Sequence, residues 1–168
     1  MTDPQRELLH HFLAALAYRT QKALREAPAG FAAFQAGEQT RTPEQLLRHM
    51  TSVLGYARTF FVGGTYQADP LDSFEREIAR FHDMLGDLAR HLDAGTRASI
   101  TAEQLLQGPL ADAMTHAGQL AMLRRLAGSP IRPENFIYAA ISPANLGPDQ
   151  PPPARPDKTW PEAPKGRA

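Results

Sequence analysis

Three side chains of metal-ligating type stand out in this sequence: His49, Asp112 and His116. The last two lie four residues apart in the run DAMTHAGQLAMLRRLAGSP, residues 112–130, whose spacing is that of a helix. At 100° per residue, Asp112, His116, Leu120, Leu123 and Ala127 fall within one arc of about 80°. The two polar residues therefore continue the apolar stripe instead of opposing it. An ionised carboxylate on such a face is costly unless it is paired, hydrogen-bonded or bound to a cation. Positions i and i+4 stand one turn apart on the same side of a helix, so two side chains there can grip one ion. His49, beside Val53 and Phe60 at the edge of another apolar stripe, can add a third arm from a facing helix. Two imidazoles and one carboxylate suit Zn²⁺, Ni²⁺ or Fe²⁺ and leave positions open for water or substrate. Plainer roles are also open to these residues. Asp112 follows Pro109 closely enough to be an acid favoured by the helix dipole, Asp112 with His116 can be a simple helical ion pair, and His49 can be a half-buried histidine with a backbone partner.

The remaining polar candidates carry less. His82, at the edge of a third stripe, is either an outer partner or fourth ligand of the same ion, or an exposed flank residue; His91 faces away, and His10 and His11 are expected as a solvated pair. Gln119 shares the arc of His116 and can bond across the core. Gly118 suggests close approach of two helices, since no glycine-rich cradle precedes a helix here. Arg124 and Arg125 point off the stripe and suit a solvated face or a dimer rim. No serine has the elbow and histidine that a hydrolase triad needs.

These residues are positioned by a chain of 168 residues, long enough for one self-sufficient core. Lys plus Arg and Asp plus Glu are equal at 18 each, and no basic stripe is visible, which argues against nucleic acid as a partner. There is no cysteine, so disulfides, thiolate metal sites and a cysteine nucleophile are excluded. The chain has neither a membrane-length apolar run nor a basic, then apolar leader, and the expectation is a soluble cytoplasmic protein.

Periodicity and capping signals predict four long helices near 4–26, 43–62, 70–93 and 109–127. The first opens at Thr2-Asp3-Pro4 and runs through Leu8, Leu9, Phe12, Leu13 and Leu16. Thr42-Pro43-Glu44-Gln45 joins a cap, a first-turn proline and a capping-box glutamine; Leu46, Met50, Val53 and Ala57 follow. Asp69-Pro70 opens the third, whose Phe74, Ile78, Phe81, Leu85, Leu88 and Leu92 alternate by fours and threes. A short turn begins at Thr101, and Gly108-Pro109 interrupts it before the last helix. Single-faced helices without strand-like alternation imply an all-α fold, a four-helix bundle over residues 1–142. A proline-rich tail, residues 143–168, follows, with eight prolines among its 26 residues. Just before it, Phe136, Ile137, Tyr138 and Ile141 are expected to pack down. Trp160 is either an anchor or exposed.

A histidine in helix two, within LLRHM, followed by H-x-G-Q-x-x-x-L-R-R-L-x-G in helix four resembles the DinB-like superfamily, the DNA-damage-inducible proteins and their relatives. The likeness spans about residues 3–128. In that family the fourth helix offers H-x-x-x-H, and with the helix-two histidine it holds a divalent metal, commonly nickel or zinc. The resemblance places these ligands at His49 and His116, with Asp112 where the family has its other histidine. It implies a metal-dependent enzyme such as a thiol S-transferase acting on a small-molecule thiol, and a homodimer; the alternative is a non-catalytic metal-binding or dimeric interaction protein of the stress response.

Overall fold

The computed structural model describes residues 3–161 and 163 and contains four long helices and no strand among them. Helix α1 runs Pro4–Leu24, α2 Pro43–Val62 and α3 Phe74–Asp93; a single turn, α4, covers Ala102–Leu105, and α5 covers Ala111–Leu126. Each long helix but the last starts where a side chain takes up the first free N–H groups. Asp3 accepts from Gln5 N at 3.0 Å, while Thr2 lies outside the described residues. Thr42 and Gln45 form the reciprocal box expected of them, at 3.3 and 3.1 Å. Gly63 ends α2 at φ 77°, where a side chain would be strained.

Helix α3 begins four residues later than Asp69-Pro70 suggested. Ser73 is its cap, and the Leu71 N–H is taken instead by the buried Glu77 carboxylate at 3.0 Å. The proline here sits in an extended entry strap, not in a first turn. Between α4 and α5 the chain makes one wide turn over 106–110. Gly108 departs from helical geometry at ψ −106°, and Pro109 supplies no N–H.

Helices α1 and α2 each pack against both α3 and α5. They enclose one apolar cluster in which Leu13, Leu16, Leu47, Met50, Leu54, Phe81, Leu85, Leu88 and Leu120 are almost wholly buried. Each such side chain contributes about 1.5–3 kcal/mol by leaving water, which makes the seams the main source of stability. Leu8, expected on the α1 seam, is instead exposed.

Two further expectations are corrected. Arg124 is not on a solvated rim: it is 4 % exposed, and its guanidinium donates to Ala23 O at 3.0 Å, Arg25 O at 2.9 Å and Glu26 O at 3.3 Å. Carbonyls at and just past a helix end have no partner within the helix, and the donors of one arginine reach Ala23 O in the last turn of α1 together with Arg25 O and Glu26 O beyond it. Gly118 marks no close approach, since a Cβ there would meet nothing within 4 Å. The tight glycine is Gly55, where a Cβ would lie inside the Tyr66 ring.

After α5 the described residues are irregular apart from one short turn, Phe136–Tyr138, and one isolated bridge between Glu134 and Pro156. The chain returns across the helices and is pinned by named bonds. Tyr18 Oη donates to Glu134 at 2.8 Å and Lys22 Nζ at 2.9 Å. The His82 Nδ1–H donates to Leu146 O at 2.6 Å, and Arg25 donates to the Gln150 carbonyl. Phe136 packs edge-on against Tyr18, whereas Ile137 and Tyr138 are exposed and did not pack as expected. No helix among the described residues is long and apolar enough to cross a membrane.

Candidate metal centre

The packing of α2 on α5 brings His49 to Asp112 and His116. His49 is the seventh residue of α2, nearly two turns in, beyond the Thr42–Gln45 box that fixes where that helix starts. Asp112 is the second residue of α5, directly after the Gly108-Pro109 turn. His116 follows one helical turn later on the same side.

The His49 and His116 rings meet edge to face with centroids 4.8 Å apart. His116 Nε2 is 3.3 Å from Asp112 Oδ1. One donor atom from each of the three residues lies within 4.8 Å of both others. A tetrahedral ion with bonds of about 2.0–2.2 Å holds its donors about 3.3–3.6 Å apart. The Asp112–His116 pair already has that spacing at 3.3 Å, and His49 stands within 4.8 Å of both. The chemistry of the donor set fits a borderline divalent cation.

His116 is held for this role from behind. Its Nδ1–H donates to Gln119 Oε1 at 2.9 Å, so Nε2 is the nitrogen that faces Asp112 and His49. Gln119 thus acts along its own helix, at i+3, and not across the core. Burial first, then the nearby Arg41 and His116, hold the His49 imidazole below its ordinary value of 6.5, against an opposing pull from Asp112. His49 is therefore neutral, with a lone pair to offer, at ordinary pH.

The site differs from expectation in depth. His116 is buried, but the Asp112 side chain is 51 % exposed, at the rim and not on an apolar interior face. This carboxylate is half open to solvent, so no cation is required to offset its burial. What carries the metal reading is the meeting of three donors. A broadly open groove of about 580 Å³ runs past His49 and Asp112, walled by Val53, Tyr56, Gly108 and Pro109, with His116 buried behind it. His82 is neither a fourth ligand nor an exposed flank. It is buried, bonded to Leu146 and 3.3 Å from the Gln21 amide. His10 pairs with Asp93 at 3.1 Å, and His91 stacks on Phe61.

No family model, no curated protein and no solved structure matches the chain. The geometry of the cluster is therefore the main ground for a functional reading.

Proposed function

We propose that the chain is a metal-binding four-helix bundle of the DinB-like kind, in which His49, Asp112 and His116 hold one divalent cation, Zn²⁺, Ni²⁺ or Fe²⁺. The observation that carries this is the convergence of three donors from α2 and α5 with His116 oriented by Gln119. The motifs LLRHM and DAMTHAGQLAMLRRLAGSP support it independently of the geometry.

Three protein donors and an open groove leave coordination positions free, which favours a metal-dependent enzyme such as a thiol S-transferase over a closed structural site. A bound divalent ion would supply a lowered pKa for a thiol or water beside it. The protein's part is then to hold and orient. His49 and His116 bind through neutral nitrogens, Asp112 offsets charge, Gln119 fixes the ring of His116, and Val53 and Tyr56 offer an apolar wall to the body of a small thiol substrate. The Asp112–His116 contact at 3.3 Å gives the alternative of a dimeric interaction protein its own footing, because a carboxylate and an imidazole at this helical spacing pair without a metal.

The homodimer belongs to the same proposal and rests on the resemblance and on Met122 and Leu126, apolar and exposed on α5; Arg124 no longer contributes to it. A cytoplasmic setting is likewise proposed. Light scattering at micromolar concentration tests the dimer.

The metal is tested on untagged protein by elemental analysis and by zinc titration. One equivalent of bound ion is expected, reduced at least about 100-fold in affinity by His116→Ala, which removes a direct ligand. Stoichiometric binding that survives His116→Ala would end the proposal.

A further inference from the structure

A second cavity, about 300 Å³, lies on the other flank of α5. Its helical floor is Met114, Gly118 and Ala121, about 140–160° round the helix from His116. The returning C-terminal segment closes it with Ile131 and Phe136. Gly118 lines it without a side chain, and a Cβ there would meet nothing within 4 Å, so a larger residue has room to grow from that position.

The rim is cationic. Arg19, Lys22 and Arg132 line it, and Glu134 is the one carboxylate among the described lining residues. That carboxylate is already satisfied, with Oε1 accepting from Tyr18 and from Ala154 N at 3.2 Å, and Oε2 paired with Lys22. One carboxylate, shared between Lys22 and the electrostatic pull it exerts on Arg19, leaves the rim with an excess of positive charge from Arg19, Lys22, Arg125 and Arg132. Arg19 is held over the Phe136 ring with its central carbon 3.8 Å from the centroid, which fixes the guanidinium plane and leaves its N–H edges for an acceptor. An apolar floor beneath a fixed guanidinium, with a volume at the low end of the range for small-molecule sites, selects for ligand type. Inorganic anions leave the floor unused, and neutral apolar molecules leave the arginines unused.

We infer that this cavity binds a small monocarboxylate with an apolar body, its carboxylate at Arg19 and Arg132 and its body against Met114, Gly118, Ala121 and Phe136. The site is independent of the metal centre, and its test does not involve metal.

Octanoate is the probe, titrated into the full chain and followed by amide chemical shifts and by calorimetry, with octan-1-ol as the uncharged match. Saturable shifts are expected at Gly118, Ala121 and Arg132 and not at His49 or Gln119, with octan-1-ol at least about tenfold weaker because it lacks the charge-assisted bonds. Gly118→Leu, which fills the cavity at a position with room and good helix propensity, should abolish binding while the helical circular dichroism is kept. Arg132→Ala, at an exposed residue, should weaken octanoate about fivefold and leave octan-1-ol unchanged. The inference is overturned by absence of saturable shifts at millimolar octanoate, by shifts centred on His49, by equal affinity for octan-1-ol, or by binding that survives Gly118→Leu. Should Gly118→Leu lose its fold, the Arg132→Ala comparison decides alone.

Discussion

Asp112 and Glu134 are two carboxylates near α5 whose circumstances are opposite. Asp112 stands on a helix in a strong periodic pattern and is half in water, with one imidazole beside it. Glu134 lies in irregular chain, its side chain is wholly buried, and three donors from α1 and the C-terminal segment hold it. Glu134 in turn helps to push the Tyr18 hydroxyl above its ordinary value, after burial itself, so that hydroxyl remains a donor at any ordinary pH. A buried charge that the protein compensates itself is structural. Donors that meet at an open rim with no structural need to do so are free for a ligand.

The sharpest way to break this contrast is at Glu134. Glu134→Leu leaves Lys22 charged and enclosed, and should cost about 3–5 kcal/mol in urea unfolding. Adding Lys22→Met should recover part of the loss, because it removes the unpaired charge but leaves the Tyr18 hydroxyl and the Ala154 N–H without their acceptor. A single-variant loss below about 1 kcal/mol would remove the distinction. At Asp112 the reverse holds. In chelator, Asp112→Ala should change stability by no more than about 0.5 kcal/mol, as expected of an exposed side chain. With excess Zn²⁺ the wild type alone should gain substantially in melting temperature, because the ion binds the native state.

Glu77 makes a finer test, being buried like Glu134 but placed on a regular helix. Burial alone would raise its pKa, but the Leu71 N–H, Arg48 and Arg80 outweigh burial and hold it below the ordinary 4.5. A depressed folded value means that its contribution is fully present above pH 4.5 and is lost as pH falls through the folded pKa. Glu77→Gln should therefore flatten the acid limb of a stability-against-pH curve measured between pH 5 and about 2. An unchanged slope would show that Glu77 does not govern it.

What the sequence disclosed divides along the same line. The helices, their seams and the Thr42–Gln45 box were legible because they depend on neighbours three and four residues away. The association of His49 with Asp112 and His116 was legible for the last two from spacing, and for the first only once two helices were supposed to face each other. How deep Asp112 sits was not, since the angular position of a residue does not say whether another element covers it. Past the Gly108-Pro109 turn nothing buries Asp112 as Leu120 is buried. Arg124 was misjudged because its partners, the carbonyls at the end of α1, lie about 100 positions earlier. Pro70 misled because a proline suits an extended strap as well as a first turn. Glu134 gave no signal at all, having no periodic setting, and neither did the cavity that Gly118 lines.

The returning segment has a kinetic meaning as well as a static one. Its anchors join Tyr18 to Glu134, 116 positions apart, and Arg25 to Gln150, 125 apart. Contacts of such separation form late, because the chain between them must first be ordered. During synthesis from the N-terminus, the helices through Leu126 are complete before Glu134 has been made, and Tyr18 and Lys22 meanwhile keep their water. Docking of the segment is then a separate, final step of maturation, and its reversal is a low-energy opening in which hydrogen exchange at residues 131–157 outpaces that of the helical seams. Each such opening dismantles the wall carrying Ile131 and Phe136, so the rate at which the segment lifts sets an upper bound on how long any guest beneath it can stay.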